Sequence, residues 1–137
     1  MPPRFLDTNI LLRYFTRDDE AKAESALALL TRVEQGEERL ETSTIVIFET
    51  VYALQRLYRV PRPRIRALLL PIIQMRGLHL PGKSLCAGAL DLYVSRNISF
   101  ADAYNGVYMQ SRGLAEIYSW DTDFDELPDI VRVEPET

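Results

Sequence analysis

Short β-like segments alternate with helical patterns along the whole sequence, and this alternation restricts the fold more than any other feature. Several stretches carry apolar residues at helical spacing, and brief segments between them read as strands. Successive strands joined through helices form parallel sheets, because a parallel connection needs a long crossover. We therefore predict an α/β fold: one domain over residues 1–137 with a central, mostly parallel sheet of four to five short strands flanked by helices.

Capping residues, apolar spacing and chain breakers define the predicted elements. Strands are predicted at residues 4–6, 39–41, 77–81, 115–120 and 130–133. Helices are predicted at residues 10–15, 20–35, 45–58, 64–75, 83–95 and 99–111, with a single turn at 124–127. We expect Pro71 to kink or divide the helix over 64–75, because proline lacks an amide hydrogen and clashes with the preceding turn.

The composition excludes several classes of function. Cys86 is the only cysteine and His79 the only histidine, so neither an intrachain disulfide nor a Cys/His zinc cluster is available. The glycine-rich loops that bind nucleotides are absent. No apolar run approaches the roughly 18 residues of a membrane helix, and Asp7 interrupts any signal-like segment. We expect a cytoplasmic protein with no membrane association, whose chemistry depends on carboxylates and hydroxyls.

The formal net charge of −4 conceals a strong segregation of charge. No acidic residue lies between Glu49 and Asp91, whereas residues 97–137 hold nine carboxylates. Basic side chains near phosphates release counterions, so the intervening basic stripe is suited to a nucleic-acid backbone. A solvated helix face or a protein-binding surface is the alternative. The candidate contact residues are Arg56, Arg59, Arg62, Arg64 and Arg66.

Two aspartates directly follow predicted strands. Asp7 and Asp121 would lie at the carboxyl ends of those strands, where open α/β sheets bind ligands. If the two strands are neighbours, both carboxylates point into one crevice. The alternative is that each aspartate only caps the helix that follows it.

Two further carboxylates lie within predicted helices. Glu49 has apolar neighbours on nearly every side, so we expect either a buried carboxylate that needs a cation or partner, or an exposed residue at the helix edge. Asp102 forms an S-x-x-D capping box with Ser99. An α/β sheet would bring these side chains together with Asp7 and Asp121, and their repulsion would require a compensating cation. Oxygen ligands favour Mg²⁺ or Mn²⁺.

Four motifs stand in a specific order along the chain: FLDTNILLRY, IFETVYAL, SFADAYNGVYMQSRG and SWDTDFDEL. With them the sequence resembles the PIN domains, and among these the VapC-type toxins of VapBC toxin–antitoxin modules. The resemblance implies a Mg²⁺- or Mn²⁺-dependent endoribonuclease with a catalytic quartet. That quartet is Asp7, Glu49, Asp102 and Asp121.

The resemblance also implies supporting residues. Asp7, Asp102 and Asp121 would bind the metal with Asp123 as an auxiliary ligand, and Asn9 and Ser119 match polar positions near it. It further implies that the first and fourth strands lie side by side. Trp120 is bulkier than expected beside the fourth aspartate, which predicts a different pocket rim, and Asp125 is expected to face solvent or cap the short helix.

The mechanism implied is hydrolysis of a phosphodiester by water that the cation activates, with Glu49 orienting or deprotonating that water. The implied substrate is a structured RNA, such as a tRNA or a ribosomal RNA loop. The implied partners are a VapB-type antitoxin and a second copy of the chain, through the apolar helices around residues 45–58 and 68–73. The alternatives are a PIN-type RNA-processing nuclease outside toxin–antitoxin systems and a non-catalytic RNA or protein interaction module.

Overall fold

The computed structural model describes residues 2–137, in which helices alternate with short strands. No helix in these residues combines the length and apolarity needed to cross a bilayer. The elements, in chain order, are β1 (Arg4–Phe5), α1 (Thr8–Thr16), α2 (Glu20–Glu34), β2 (Leu40–Glu41), α3 (Thr44–Arg56), α4 (Arg62–Ile73), β3 (Leu78–His79), α5 (Lys83–Ser95), α6 (Phe100–Ser111), β4 (Glu116–Tyr118), the 3-10 helix η1 (Thr122–Glu126) and β5 (Val131–Val133).

The strands form two separate parallel sheets. One has the order β1-β2-β3 and the other pairs β4 with β5. The α/β class is confirmed, but the prediction of one central sheet with four to five strands is wrong. The expected pairing of the first and fourth strands is also absent from these residues, because β1 and β4 belong to different sheets. The amide of Leu6 donates to the carbonyl of Glu41 at 2.8 Å, and that of Ser119 donates to the carbonyl of Val133 at 3.1 Å. Strands of two or three residues form few hydrogen bonds with a neighbouring strand, so five such strands need not join into one sheet.

Helix α4 differs from its prediction at both the start and Pro71. It begins at Arg62, so Pro63 lies in the first helical turn. A proline is tolerated there, because the backbone amides of the first turn have no partner within the helix. Pro71 lies inside the helix, which continues without division to Ile73. Ile72 and Ile73 are buried, and this burial offsets the hydrogen bond that Pro71 cannot donate. Within the 68–73 stretch, Leu69, Ile72 and Ile73 are buried, so only Leu68, Leu70 and Pro71 could contact a second copy.

Two clusters of buried side chains form the core. One lies among α3, α4, α5 and α6, and the other joins α1 and α2 to the three-stranded sheet. Element η1 is anchored to the first cluster by Phe124 and Leu127. Gly106 of α6 permits this close approach, because a Cβ atom there would lie 2.7 Å from Leu127 Cδ1. The packing therefore holds η1 against α6.

A buried hydroxyl ties the end of β1 to the end of β2. Thr42 Oγ1 donates to the carbonyl of Leu6 at 2.8 Å, directly before Asp7. We predict that Thr42→Val lowers the free energy of unfolding by about 1–3 kcal/mol, because a buried carbonyl loses its donor. Thr50→Val is the matched control: its hydroxyl bonds Val46 O at 2.8 Å, and that carbonyl keeps its helical amide donor.

Urea denaturation followed by circular dichroism measures both variants. The expected loss is larger for Thr42→Val than for Thr50→Val. Equal losses in the two variants would contradict the assignment of the effect to the Leu6 carbonyl.

Candidate active site

Three aspartates from two elements form a compact acidic cluster, which we call the aspartate cluster: Asp102, Asp121 and Asp123. One carboxylate oxygen of each lies within 4.8 Å of the others. Asp102 is in the first turn of α6, whereas Asp121 caps η1 and Asp123 is in its first turn. The cluster is therefore built where two helices begin, and the partial positive charge at such helix ends favours carboxylates.

Local hydrogen bonds hold the backbone at all three aspartates and the carboxylate of Asp121. Ser99 Oγ accepts the amide of Asp102 at 3.1 Å, as the capping box predicts. The amide of Asp121 donates to Ser119 Oγ at 2.9 Å, and Asp121 Oδ1 accepts the amide of Asp123 at 2.9 Å. These bonds give the cluster a defined geometry before any ligand binds.

The electrostatics of the cluster favour a cation. Partial burial and the nearby carboxylate of Asp121 raise the pKa of Asp102, and Asp123 adds to the shift. A raised carboxyl pKa means that the ionised form is disfavoured where it stands. A divalent cation would reverse this penalty, because it offers the positive charge that the three carboxylates lack.

The donor set fits Mg²⁺ or Mn²⁺. It consists of carboxylate oxygens alone, which are the ligands that hard cations prefer. His79 is exposed on β3 and Cys86 is buried in the core, so neither softer ligand belongs to the cluster. Opposite ligands of an ion at 2.1 Å would be roughly 4.2 Å apart, which is compatible with carboxylate oxygens that lie within 4.8 Å of one another.

Asp7 and Glu49 form a second acidic group, outside the aspartate cluster. Asp7 caps α1, accepting the amide of Thr8 at 2.8 Å, and Thr8 Oγ1 donates to Glu49 Oε1 at 3.3 Å. Both carboxylates are exposed. Of the two alternatives for Glu49, the exposed one is therefore correct: the buried side chains of α3 lie on its other faces, whereas Ile45 and Tyr52, about one turn away on the same face, are exposed too. Within residues 2–137 the structure does not bring Asp7 or Glu49 into the aspartate cluster.

The helices that carry the two acidic groups are in contact. The ring of Phe48, next to Glu49, lies 6.5 Å from that of Phe100, which is two residues before Asp102. Phe100 is buried and also contacts Tyr93 and Tyr104. The helices that carry Glu49 and Asp102 therefore pack against each other, although Glu49 is not part of the aspartate cluster.

The two polar residues suggested by the resemblance lie in different places. Ser119 supports Asp121 directly, as described above. Asn9 lines a groove of about 740 Å³ between β1, α1 and α2, which contains none of the clustered aspartates. The groove has an apolar floor and basic residues at its edges. Its other lining residues are Arg4, Phe5, Leu6, Ile10, Arg13, Ala21, Lys22, Ser25, Ala26, Leu29, Arg32, Glu38 and Leu40.

The five candidate RNA-contact arginines divide into two kinds. The guanidinium of Arg62 donates to the carbonyls of Tyr93 and Ile98 and stacks on the Tyr93 ring, 4.3 Å from its centroid. Arg66 pairs with Asp91 at 2.7 Å. The remaining three are exposed, and no carboxylate in the described residues lies within salt-bridge distance of them. They are Arg56, Arg59 and Arg64.

Sequence reasoning missed two supporting residues. Thr8 connects the cap of α1 to Glu49, and the D-T-N tripeptide at residues 7–9 was the available signal. Arg132 of β5 donates to the carbonyl of Ser119 at 3.2 Å and pairs with Asp125 at 3.2 Å. The segment that carries Asp121 is therefore held from both sides. Asp125 faces solvent and contacts Arg132 instead of the cluster.

Comparison with known proteins agrees with this architecture. The family model of the PIN domain matches residues 4–130, and the chain belongs to the PIN domain family. It is similar to the VapC ribonuclease of Aquifex aeolicus (strain VF5), with 27% identity over 124 residues. That alignment covers 90% of this chain and 91% of the relative.

Proposed function

We propose that the protein is a metal-dependent endoribonuclease and the toxin of a type II toxin–antitoxin module. The aspartate cluster carries the proposal, because it places three carboxylates together in a PIN domain. The similarity to a VapC ribonuclease supports RNA as the substrate.

Each acidic residue has a proposed role. Asp102, Asp121 and Asp123 hold Mg²⁺ or Mn²⁺, and Asp7 contributes from the cap of α1 once substrate and ion are present. When bound, the ion supplies Lewis acidity at the phosphodiester and lowers the pKa of water. Glu49 is exposed and outside the cluster, so its carboxylate is free to orient a water molecule and accept its proton.

The proposed path of the RNA backbone follows the exposed face of α3. Glu49 and Arg56 are seven residues apart on this helix, roughly 10 Å along its axis. Tyr52 lies between them, with the Arg56 guanidinium 6.0 Å from its ring centroid. Arg59 and Arg64 extend the basic surface beyond the end of α3. An RNA strand whose phosphates bind these arginines would extend toward Glu49 and the proposed metal site.

We predict that replacing Arg56, Arg59 and Arg64 by Gln lowers RNA affinity and makes it less sensitive to salt. The slope of log K against log [salt] should fall by about 0.7 for each arginine that contacts a single-stranded phosphate. Arg66→Gln is the control, because its guanidinium is already paired with Asp91. Filter binding at several salt concentrations measures the slopes. An equal change in the control would contradict the assignment.

A second copy and an antitoxin are the proposed protein partners. Two apolar side chains are exposed just after α3, beyond the face proposed for the RNA, which supports homodimer formation: Leu57 and Tyr58. The groove beside Asn9 has the size and apolar floor to accept a segment of a VapB-type antitoxin. Arg4 and Lys22 at its edges favour an acidic partner. A cytoplasmic location would place the enzyme with tRNA and ribosomal RNA.

Incubation of total cellular RNA with the purified protein tests the proposal, with Mg²⁺, Mn²⁺ or EDTA present. We expect discrete fragments with either ion and none with EDTA. Sequencing the new RNA ends would identify the structured RNA that is cut. Absence of cleavage by the metal-loaded, antitoxin-free protein would favour a non-catalytic binding module. Cleavage by a protein without an adjacent antitoxin gene would favour an RNA-processing nuclease.

A further inference from the structure

Trp120 presents an unpartnered aromatic ring beside the aspartate cluster. It directly precedes Asp121, it is 71% exposed, and it is the only tryptophan of the chain. Among the residues that the structure describes, no aromatic ring or guanidinium is in stacking range of its indole. A tryptophan side chain is usually largely buried, so its exposure next to a candidate active site indicates that it contacts a ligand.

The backbone that carries Trp120 is held in place. The amide of Ser119 donates to Val133 O at 3.1 Å, and the carbonyl of Ser119 accepts from Arg132 at 3.2 Å. On the other side, the amide of Asp121 is bonded to Ser119 Oγ. The indole therefore projects from a fixed point whose position relative to Asp121 is set by hydrogen bonds.

A second aromatic side chain continues the same surface. Exposed and half-buried residues alternate from Glu116 to Trp120, so Tyr118 and Trp120 lie on the outer side of the segment. Tyr118 is 75% exposed. The two positions are about 6.6 Å apart along an extended chain. They form an aromatic surface that ends at the aspartate cluster.

The negative charge around this aromatic surface determines whether a phosphate or a nucleobase can bind there. Asp121, Asp123 and Asp125 follow Trp120 closely, and Glu116 of β4 lies on the same outer side of the segment as Trp120. These carboxylates repel phosphates other than the one that the proposed ion would bind, whereas an uncharged nucleobase is not repelled and gains by stacking on indole. A duplex keeps its bases inside and its phosphates outside, so only an unpaired base can make this contact.

We propose that Trp120 stacks on an unpaired nucleobase next to the scissile phosphodiester. The inference deepens the proposed nuclease function and rests on it for the position of the cut. Trp120 acts here as a specificity-determining residue, with Tyr118 extending the stacking surface.

The single tryptophan makes the contact directly observable. We would titrate RNA into the Asp102→Asn protein, in which the RNA stays intact, and follow indole fluorescence. The probes are oligomers of about 12 uridines, of about 12 adenosines, and the duplex that they form together. We expect both single strands to quench the emission and the duplex to leave it nearly unchanged.

Variants with labelled RNA test the energetic role. In the same Asp102→Asn background, Trp120→Leu should weaken single-strand binding by about 5- to 100-fold, while Trp120→Phe, which keeps an aromatic face, should stay within about 3-fold. Val131→Ala is the matched control, because it alters an exposed apolar residue of the neighbouring strand β5. It should bind like the background protein.

Three results would overturn the inference: no quenching by single strands, equal affinity of the Trp120→Leu and background proteins, or a blue shift of the emission as protein concentration rises without RNA. The last would show that a second copy covers the indole. RNA cleavage with unchanged Trp120→Leu binding would refute the stacking role alone. Quenching without any cleavage by the wild-type protein would refute the nuclease function alone.

Discussion

Asp102→Asn is expected to abolish both divalent-ion binding and RNA cleavage. Asparagine keeps the size of the side chain and removes one of the three negative charges that would bind the ion. A bound metal contributes several kcal/mol to stabilising the transition state, so the cleavage rate should fall roughly 10³-fold. Mn²⁺ titration by calorimetry and single-turnover cleavage of the identified RNA measure the two losses.

Asp125→Asn is the matched control for that variant. Asp125 belongs to the same η1 segment, but its carboxylate contacts Arg132 and lies outside the aspartate cluster. Arg132 also contacts Glu134, so the segment keeps an ionic contact. We expect Mn²⁺ affinity and cleavage to stay close to wild type. If Asp125→Asn lost as much Mn²⁺ affinity as Asp102→Asn, the cluster would be acting through its total charge instead of through specific ligands.

Glu49→Gln is expected to separate catalysis from metal binding. The glutamine carbonyl can still accept the hydrogen bond from Thr8, so the local structure should persist. It cannot accept a proton at neutral pH, and loss of a general base lowers rates by about 10²- to 10⁴-fold. Because Glu49 lies outside the aspartate cluster, Mn²⁺ affinity should change by less than about 3-fold.

The same two measurements decide the role of Glu49. A fall in Mn²⁺ affinity as large as that of Asp102→Asn would make Glu49 a metal ligand. Unchanged cleavage would remove it from the mechanism. Thermal unfolding of the variant in EDTA controls for a general loss of structure, and we expect a melting temperature close to that of the wild type.

Features governed by local interactions could be predicted from the sequence. The caps by Asp7 and Ser99 are visible as short-range patterns, and both are present. The apolar periodicity predicted the helices and the α/β class. These features follow from spacing within one or two turns, so neighbouring residues suffice to specify them.

Features governed by long-range packing could not be predicted. The exposure of Glu49 depends on which face of α3 meets the core, and an almost wholly apolar helix does not indicate that face. Pro71 remains inside α4 because burial of Ile72 and Ile73 outweighs a lost hydrogen bond. The separation of β4–β5 from the other sheet depends on pairings of strands too short to specify a partner.

The separate β4–β5 sheet has a consequence for how the candidate metal site would respond to an ion. Asp121 and Asp123 both belong to the segment between these strands, whereas Asp102 belongs to α6, and the two are joined by the contact of Gly106 with Leu127. Ion binding would therefore couple the fluctuations of two structural units that are otherwise connected by the turn at residues 112–115 and by side-chain packing. Amide hydrogen exchange should slow together across η1, β4 and β5 when Mn²⁺ is added, as expected for a segment that opens cooperatively.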